Sequence, residues 1–285
     1  MNEYNFGGLD EEYCQYENSK YVVLPVPYDK TSTWGQGSEK GPDAILEASA
    51  NMELYDIETR TQPYKKGIFT AEKIETDKEP EYLFEMVLEK ARKFIKDDKI
   101  LVTIGGNHCV PIGSCKAYAE KYENLSVLQI DAHSDMRDSY QDNKYSHACA
   151  MARMSEYAKP VMVGIRSMDS SELENIKGKD IFYASYIRKN PNWIKEAVNA
   201  LTDNVYLTID LDGFDPSIMP ATGTPEPGGL YWYEVLDLFE EVAKNKKIVG
   251  FDVVELCPSE NSNPSNFMAA KLIYKIMSII EHSEK

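Results

Sequence analysis

The sequence predicts an α/β fold built around a mainly parallel β-sheet. Apolar β-type runs alternate along the chain with amphipathic helical stretches, the signature of repeated βα units. The runs are nearly continuous in apolar residues, as expected of strands covered on both faces. Histidines and aspartates collect just past the ends of these runs, and open parallel sheets bind their ligands beyond the carboxyl ends of their strands.

The first strand is Tyr21–Val26. Gly41-Pro42-Asp43 then opens a helix through Ala50, with proline in the first turn, where its missing N–H costs nothing. Leu83, Phe84, Val87, Leu88, Ala91, Phe94 and Ile95 recur at helical spacing and make one apolar stripe. Ile100–Ile104, Ser126–Ile130, Pro160–Ile165, Val205–Leu211 and Ile248–Leu256 read as the remaining strands. Trp232–Ala243 and Phe267–Ile280 read as further amphipathic helices. No repeat, low-complexity tract or long Pro/Gly/Ser linker divides the chain, so residues 1–285 are expected to form a single domain.

Apolar residues make up 42% of the chain and aromatic residues 11%, enough for a sizeable core. No stretch reaches the length of a membrane span. The N-terminal Met1-Asn-Glu-Tyr-Asn-Phe-Gly-Gly lacks the basic segment and apolar run of a secretory signal. Five cysteines without a CxxC pair, in a chain too large to need staples, read as reduced thiols of a cytoplasmic protein. With 31 Lys and Arg against 47 Asp and Glu, the net charge of −16 argues against nucleic acid or an anionic membrane as partner. It serves solubility, and it is compatible with a small cationic substrate.

Three of the four histidines sit in short polar motifs at strand ends. Gly105-Gly106-Asn107-His108 follows Ile100–Ile104, and the paired glycines allow a sharp turn that brings His108 back to its neighbours. Asp131-Ala-His133-Ser-Asp135 follows Ser126–Ile130. An extended backbone would put all three of its polar side chains on one side. Asp210-Leu-Asp212 ends Val205–Leu211 in the same way. Carboxylates massed this closely repel unless a cation lies between them. His108, Asp131, His133, Asp135, Asp210 and Asp212 therefore read as ligands of two metal ions. Carboxylate with imidazole and no thiolate points to Mn²⁺ before Zn²⁺ or Ca²⁺. Two such ions, roughly 3.5–4 Å apart, acidify a shared water and supply a nucleophile without Ser or Cys.

His147 is off ligand spacing and suits proton shuttling, its alternative being a hydrogen-bonded loop residue. Glu255, at the end of the last strand, could hold a guanidinium by paired hydrogen bonds. Asp215, before Pro216, is a turn or cap residue. Thr222-Gly-Thr-Pro-Glu-Pro-Gly-Gly229 forms a rigid loop of the kind that lines sites. Cys109, Cys115, Cys149 and Cys257 read as small buried residues, and His282 as part of a polar tail.

In order and spacing, Gly-Gly-x-His, Asp-Ala-His-Ser-Asp, Ile-Asp-Leu-Asp-Gly-Phe-Asp-Pro and Thr-Gly-Thr-Pro-Glu-Pro-Gly-Gly-Leu resemble the ureohydrolase (arginase/agmatinase) family, from Gly41-Pro42 to Ala269-Ala270. The resemblance implies a three-layer α/β/α sandwich with two Mn²⁺ per subunit. It makes His108, Asp131, Asp135 and Asp210 ligands of one ion and Asp131, His133, Asp210 and Asp212 ligands of the other. His147 becomes the proton shuttle, Asp135 a proton acceptor, and Glu255 the guanidinium-binding residue. The family also suggests a homo-oligomer, trimer or hexamer. The stretch from Asp135 to Ala148 is similar to agmatinases and lacks the Asn-containing loop with which arginases hold the substrate carboxylate. Asp138 and Asp142 would suit a free amine. The implied reaction is agmatine to putrescine plus urea, in polyamine biosynthesis. A sister reaction on guanidinobutyrate, arginine or another guanidino acid is the alternative, as is a non-catalytic metal-binding homologue. Asn107, Cys109 and Ala221 depart from the family pattern, and Asn107 is expected to weaken support for His108.

Overall fold

Strands covered on both faces must exchange hydrogen bonds with one another, and here they do so in one sheet. The computed structural model describes residues 5–259 and 263–284; Met1–Tyr4, part of the N-terminal reading above, lie outside the described residues. Among the described residues the strands are β1 (Tyr21–Val26), β2 (Ile68–Thr70), β3 (Ile100–Gly105), β4 (Leu125–Ile130), β5 (Lys159–Val163), β6 (Asp180–Phe182), β7 (Asn204–Asp210) and β8 (Lys247–Val254). They pair in the order β2-β1-β3-β8-β7-β4-β5-β6, and every pairing is parallel. The helices are α1 (Gly41–Ser49), α2 (Pro80–Lys96), α3 (Ile112–Lys121), α4 (Ala150–Met154), α5 (Ala184–Ile187), α6 (Trp193–Ala200), α7 (Trp232–Asn245) and α8 (Asn263–Ser283).

Alternation along each strand divides the core into two. Tyr21 and Val23 face a layer that includes α1, α6, α7 and α8, whereas Val22, Leu24 and Val26 face α2, α3 and α4. The three-layer α/β/α sandwich is therefore present. Among the described residues, no helix is long and apolar enough to cross a membrane.

All six expected strands form, Tyr21–Val26 with the ends expected and the other five with shifted ends. Ile248–Leu256 stops at Val254 because Glu255 takes a left-handed backbone (φ 64). Val205–Leu211 stops at Asp210, where the chain tightens into a 3₁₀ turn over Leu211–Gly213. Pro160–Ile165 stops before Gly164 (φ 93). β2 and β6 went unanticipated: three residues at a sheet edge carry too little pattern to register. Helices α3 and α6 were likewise not foreseen.

The strand order places the site. The chain runs from β3 across to β4, leaving a gap of two positions that β7 and β8 later fill. The central neighbours β3, β8, β7 and β4 flank this switch, and the polar motifs all follow their C-terminal ends. An extra residue in β8 shifts its register, with Val205 opposite Ile248 but Tyr206 opposite Gly250, so that Asp210 pairs with Val254. Gly250 is needed there: a Cβ would fall 2.3 Å from the Tyr118 hydroxyl.

Candidate active site

His108 reaches the site through a turn only glycine allows, since a Cβ on Gly106 would lie 2.1 Å from the Tyr28 carbonyl oxygen. Its ring is buried. Nδ1 lies 3.1 Å from Asp131 Oδ2, 3.1 Å from Asp135 Oδ2 and 3.4 Å from Asp210 Oδ2. On the far side, Nε2 is 2.9 Å from Thr208 Oγ1, whose hydroxyl donates to Asp252 Oδ1 at 3.0 Å. With that proton committed to Asp252, Thr208 accepts from Nε2–H, which leaves Nδ1 facing the carboxylates. It has no hydrogen-bond partner.

A second group forms beside the first. His133 Nδ1 lies 3.0 Å from Asp212 Oδ2 and 3.7 Å from Asp131 Oδ1. Donor atoms of His108, Asp131 and Asp135 all lie within 4.8 Å of one another, as do those of Asp131, His133 and Asp212. Asp131 belongs to both groups. Burial, then the charges of Asp135 and Asp212, push its carboxyl up to about 7. Burial, with Asp212 and Asp131 beside it, raises Asp210 well above the carboxylate range. Burial opposes charge on His133, but Asp212 and Asp131 outweigh it and lift the imidazole to about 11. The cage asks for positive charge and takes protons when nothing else supplies it. A buried imidazole nitrogen without a hydrogen-bond partner among carboxylates, with no thiolate, fits a divalent cation.

The convergence does not arise as the period-two argument expected. β4 ends at Ile130, Asp135 is left-handed (φ 50), and the Asp131 carboxylate accepts the His133 N–H at 2.6 Å. Asp210 and Asp212 likewise meet across a tight turn, with Asp210 Oδ1 accepting Asp212 N–H at 2.9 Å. Coiled strand ends, not extended backbone, bring the donors together.

His108, His133, Asp135, Asp210 and Asp212 line a cavity of about 300 Å³ together with His147 and Glu255. Glu255 Oε1 accepts the His108 N–H at 2.7 Å, and burial pushes its carboxyl up to about 8. Its left-handed backbone, a strain on the order of 1–3 kcal/mol, is held by a hydrogen bond from its own N–H to the Gly106 carbonyl (2.8 Å). His147 Nδ1 lies 3.1 Å from Thr31 Oγ1, and burial holds its pKa below the ordinary imidazole value.

Two expectations need correcting. Asp138 does not line the cavity: it is exposed and bonded to Arg153 Nη2 at 2.9 Å, with Lys144 at 3.9 Å. Asp142 is exposed as well. Nor does Asn107 serve the His108 ring. Its amide donates to Asp29, Ser32 and Ser38, and its Oδ1 accepts from Thr31 N and Oγ1, each at 3.0 Å. Asn107 therefore supports His147, through Thr31, while Thr208 and Asp252 support His108.

Sequence reasoning missed the cavity's outer acids. Asp169 and Glu172 form a capping box on a 3₁₀ turn, and both line the cavity. Buried Glu172 accepts from the Ser134 hydroxyl and from Met136 N (2.9 Å), the two neighbours of Asp135. The Asp-x-x-Glu spacing was the only available signal, and it announces a helix start rather than a site. Arg166 was missed as well. Its guanidinium donates to the carbonyls of Asp212 (2.7 Å) and Glu226 (2.8 Å), tying the Pro/Gly loop to the Asp212 turn. Asp215 acts as a turn residue, accepting from Ser217, Gly228 and Gly229 N–H.

Residues 19–278 match the sequence profile of the Arginase family. The chain belongs to the arginase family. It is 40% identical to an N(1)-aminopropylagmatine ureohydrolase of Synechocystis sp., over 96% of this chain and 94% of that one. It is 30% identical to an agmatinase of Pyrococcus horikoshii, over 96% and 97% of the two chains. The crystal structure of an agmatine ureohydrolase of Thermoplasma volcanium superposes with a TM-score of 0.87, at 32% identity, over 94% of this chain and 92% of that one. With the family comes the reaction class: this arginase-family member is a ureohydrolase, an enzyme acting on guanidino compounds.

Proposed function

We propose that the chain hydrolyses the guanidinium group of a cationic guanidino amine, agmatine or its N1-aminopropyl derivative, releasing urea. One observation carries the reading: Asp131 is shared by two donor groups whose other members line one cavity with Glu255 and His147. His108, Asp131, Asp135 and Asp210 would hold one divalent ion, and Asp131, His133, Asp210 and Asp212 the other, with Mn²⁺ suited to the donor set. When bound, such a pair supplies the Lewis acidity that readies water for attack near neutral pH.

The chain's own residues supply orientation and proton traffic. The Glu255 carboxylate, ionised once a cation faces it, receives guanidinium N–H donors and fixes the planar group in the cavity. Asp135 takes a proton from the attacking water. The Thr31 hydroxyl proton points to Asn107, so Thr31 accepts from His147 Nδ1–H, and Nε2 carries the free lone pair. Nε2 then relays the proton to the departing amine. The balance is R–NH–C(NH₂)₂⁺ plus water giving R–NH₃⁺ plus urea. The P. horikoshii relative supports agmatine as substrate. The higher identity to the Synechocystis enzyme favours the aminopropylated compound.

The test is urea release by Mn²⁺-loaded protein from agmatine, N1-aminopropylagmatine, arginine and guanidinobutyrate in parallel. Release from the two amines, but not the two carboxylates, is expected. Preference for a carboxylate-bearing compound would defeat the reading.

A further inference from the structure

Trp34 is 83% exposed, more than any other large apolar residue described. Single exposed apolar residues are ordinary on protein surfaces, but Trp34 also lines the cavity that holds the donor groups. Its loop is pinned on three sides. The Asp29 carboxylate accepts Gly37 N–H (2.6 Å) and Ser38 N–H (3.1 Å), and Thr31 is bonded to Asn107. Gly35 lies so close to Gly223 that a Cβ there would fall 2.7 Å from the Gly223 carbonyl oxygen. The indole therefore stands on a fixed support, and little conformational entropy is lost when a ligand meets it.

Three charged residues that also line the cavity are already engaged. Glu172 accepts from Ser134, Met136 and Asp169. Asp169 accepts from Ser171 N (2.9 Å) and Oγ (2.6 Å), with Arg137 at 3.7 Å. Arg137 itself lies over the Tyr140 ring at 4.9 Å. Among the described residues Trp34 has no hydrogen-bond, ring or cation partner. The indole face is the strongest of the aromatic faces for a cation, and Trp34 lines a cavity rich in carboxylates.

We propose that Trp34 selects substrate length: its indole receives the distal ammonium of a guanidino polyamine whose guanidinium lies at Glu255, favouring a chain longer than agmatine. This rests on the guanidino-amine reading above and adds to it the residue that discriminates between the two amines. Half-buried Glu255 lies beside His108, exposed Trp34 stands apart from them, and both line one cavity, so a ligand with a cation at each end can meet both.

The experiment compares wild type with Trp34→Phe, Trp34→Leu and Trp34→Ala, all Mn²⁺-loaded. It measures kcat/KM for urea release from N1-aminopropylagmatine and agmatine, and calorimetric binding of spermidine and putrescine, the amines left after urea departs. Trp34→Leu keeps apolar bulk without a π face. It should lower kcat/KM for the longer substrate and spermidine affinity about tenfold, equivalent to about 1.4 kcal/mol, with agmatine and putrescine changed less than twofold. Trp34→Phe should fall between wild type and Leu. Equal losses for both substrates, or unchanged values in Trp34→Leu, would overturn the selection role while leaving the reaction intact. Wild type releasing urea from neither amine would overturn the underlying reading, and the proposal with it.

Discussion

Among the described residues, buried Asp56 and buried Asp131 stand in acidic clusters with opposite fates. On α8, Lys275 enters a pocket with Asp56 and Glu58: its ammonium lies 2.8 Å from Asp56 Oδ2, and it also pairs with Glu58. Burial alone would raise the Asp56 carboxyl, but Lys275 and the Thr59 N–H and hydroxyl outweigh it, and the pKa lies below the ordinary value. At the sheet's C-terminal end, Asp131 and Asp210 are buried as deeply and their pKa values go up. The difference is the cation. The chain gives the first cluster a permanent ammonium and the second only the imidazoles of His108 and His133, whose protons a metal ion can displace, so one is closed and structural while the other can take an ion from outside. Burial with a displaced pKa is common to both, and a partner that can give up its proton, in place of a permanent ammonium, marks the functional cluster.

The comparison can be broken at its closed end first. Lys275→Met leaves Asp56 buried and uncompensated, and should cost about 3–5 kcal/mol of stability, read from the midpoint of urea denaturation. A loss under about 1 kcal/mol would mean that the pair is not the closed cluster described. At the open end the sign reverses, because adding a cation should stabilise. Mn²⁺ at a hundredfold excess over its Kd should add about 2.7 kcal/mol, read as a raised thermal midpoint that Asp131→Asn largely abolishes. Next comes the support of His108. Thr208→Val keeps the side-chain shape but removes the hydroxyl between Nε2 and Asp252, and should weaken Mn²⁺ binding roughly 10- to 100-fold by calorimetry. Unchanged affinity would show that the ring is oriented by packing alone.

The closed cluster also has a pH signature. Because the folded-state pKa of Asp56 is depressed, its stabilising contribution is fully present above the unfolded value of 3.8 and is lost as pH falls through the lower folded value. Acid titration of stability should therefore lose this limb in Asp56→Asn, and an identical acid limb in that variant would count against the assignment. The smallest effect is expected at Asp138. Its ion pairs are exposed, so Asp138→Ala should leave kcat/KM within about twofold of wild type, as exposed pairs contribute little.

The α/β class, the six main strands and the six candidate donors were legible in the sequence. Apolar periodicity is a local property, and carboxylates at two-residue spacing are informative wherever the chain puts them. Less legible was how the donors converge. The extended backbone assumed for Asp131, His133 and Asp135 is a left-handed turn at Asp135, buttressed by Glu172 from another segment. Asp138 and Asp142 are exposed, and Arg153 engages Asp138.

By itself, then, the sequence determined which residue types stand at which strand ends, since side-chain chemistry and short-range pattern travel with the chain. Only the tertiary structure decided their partners. It set His108 against Thr208 and Asp252, routed Asn107 through Thr31 to His147, and gave Lys275 to Asp56 but no lysine to Asp131. Those pairings join segments as far apart as 219 residues. Whether a buried carboxylate is closed or open depends on which distant side chain the packing of helices on the sheet delivers to it, and no local pattern encodes that.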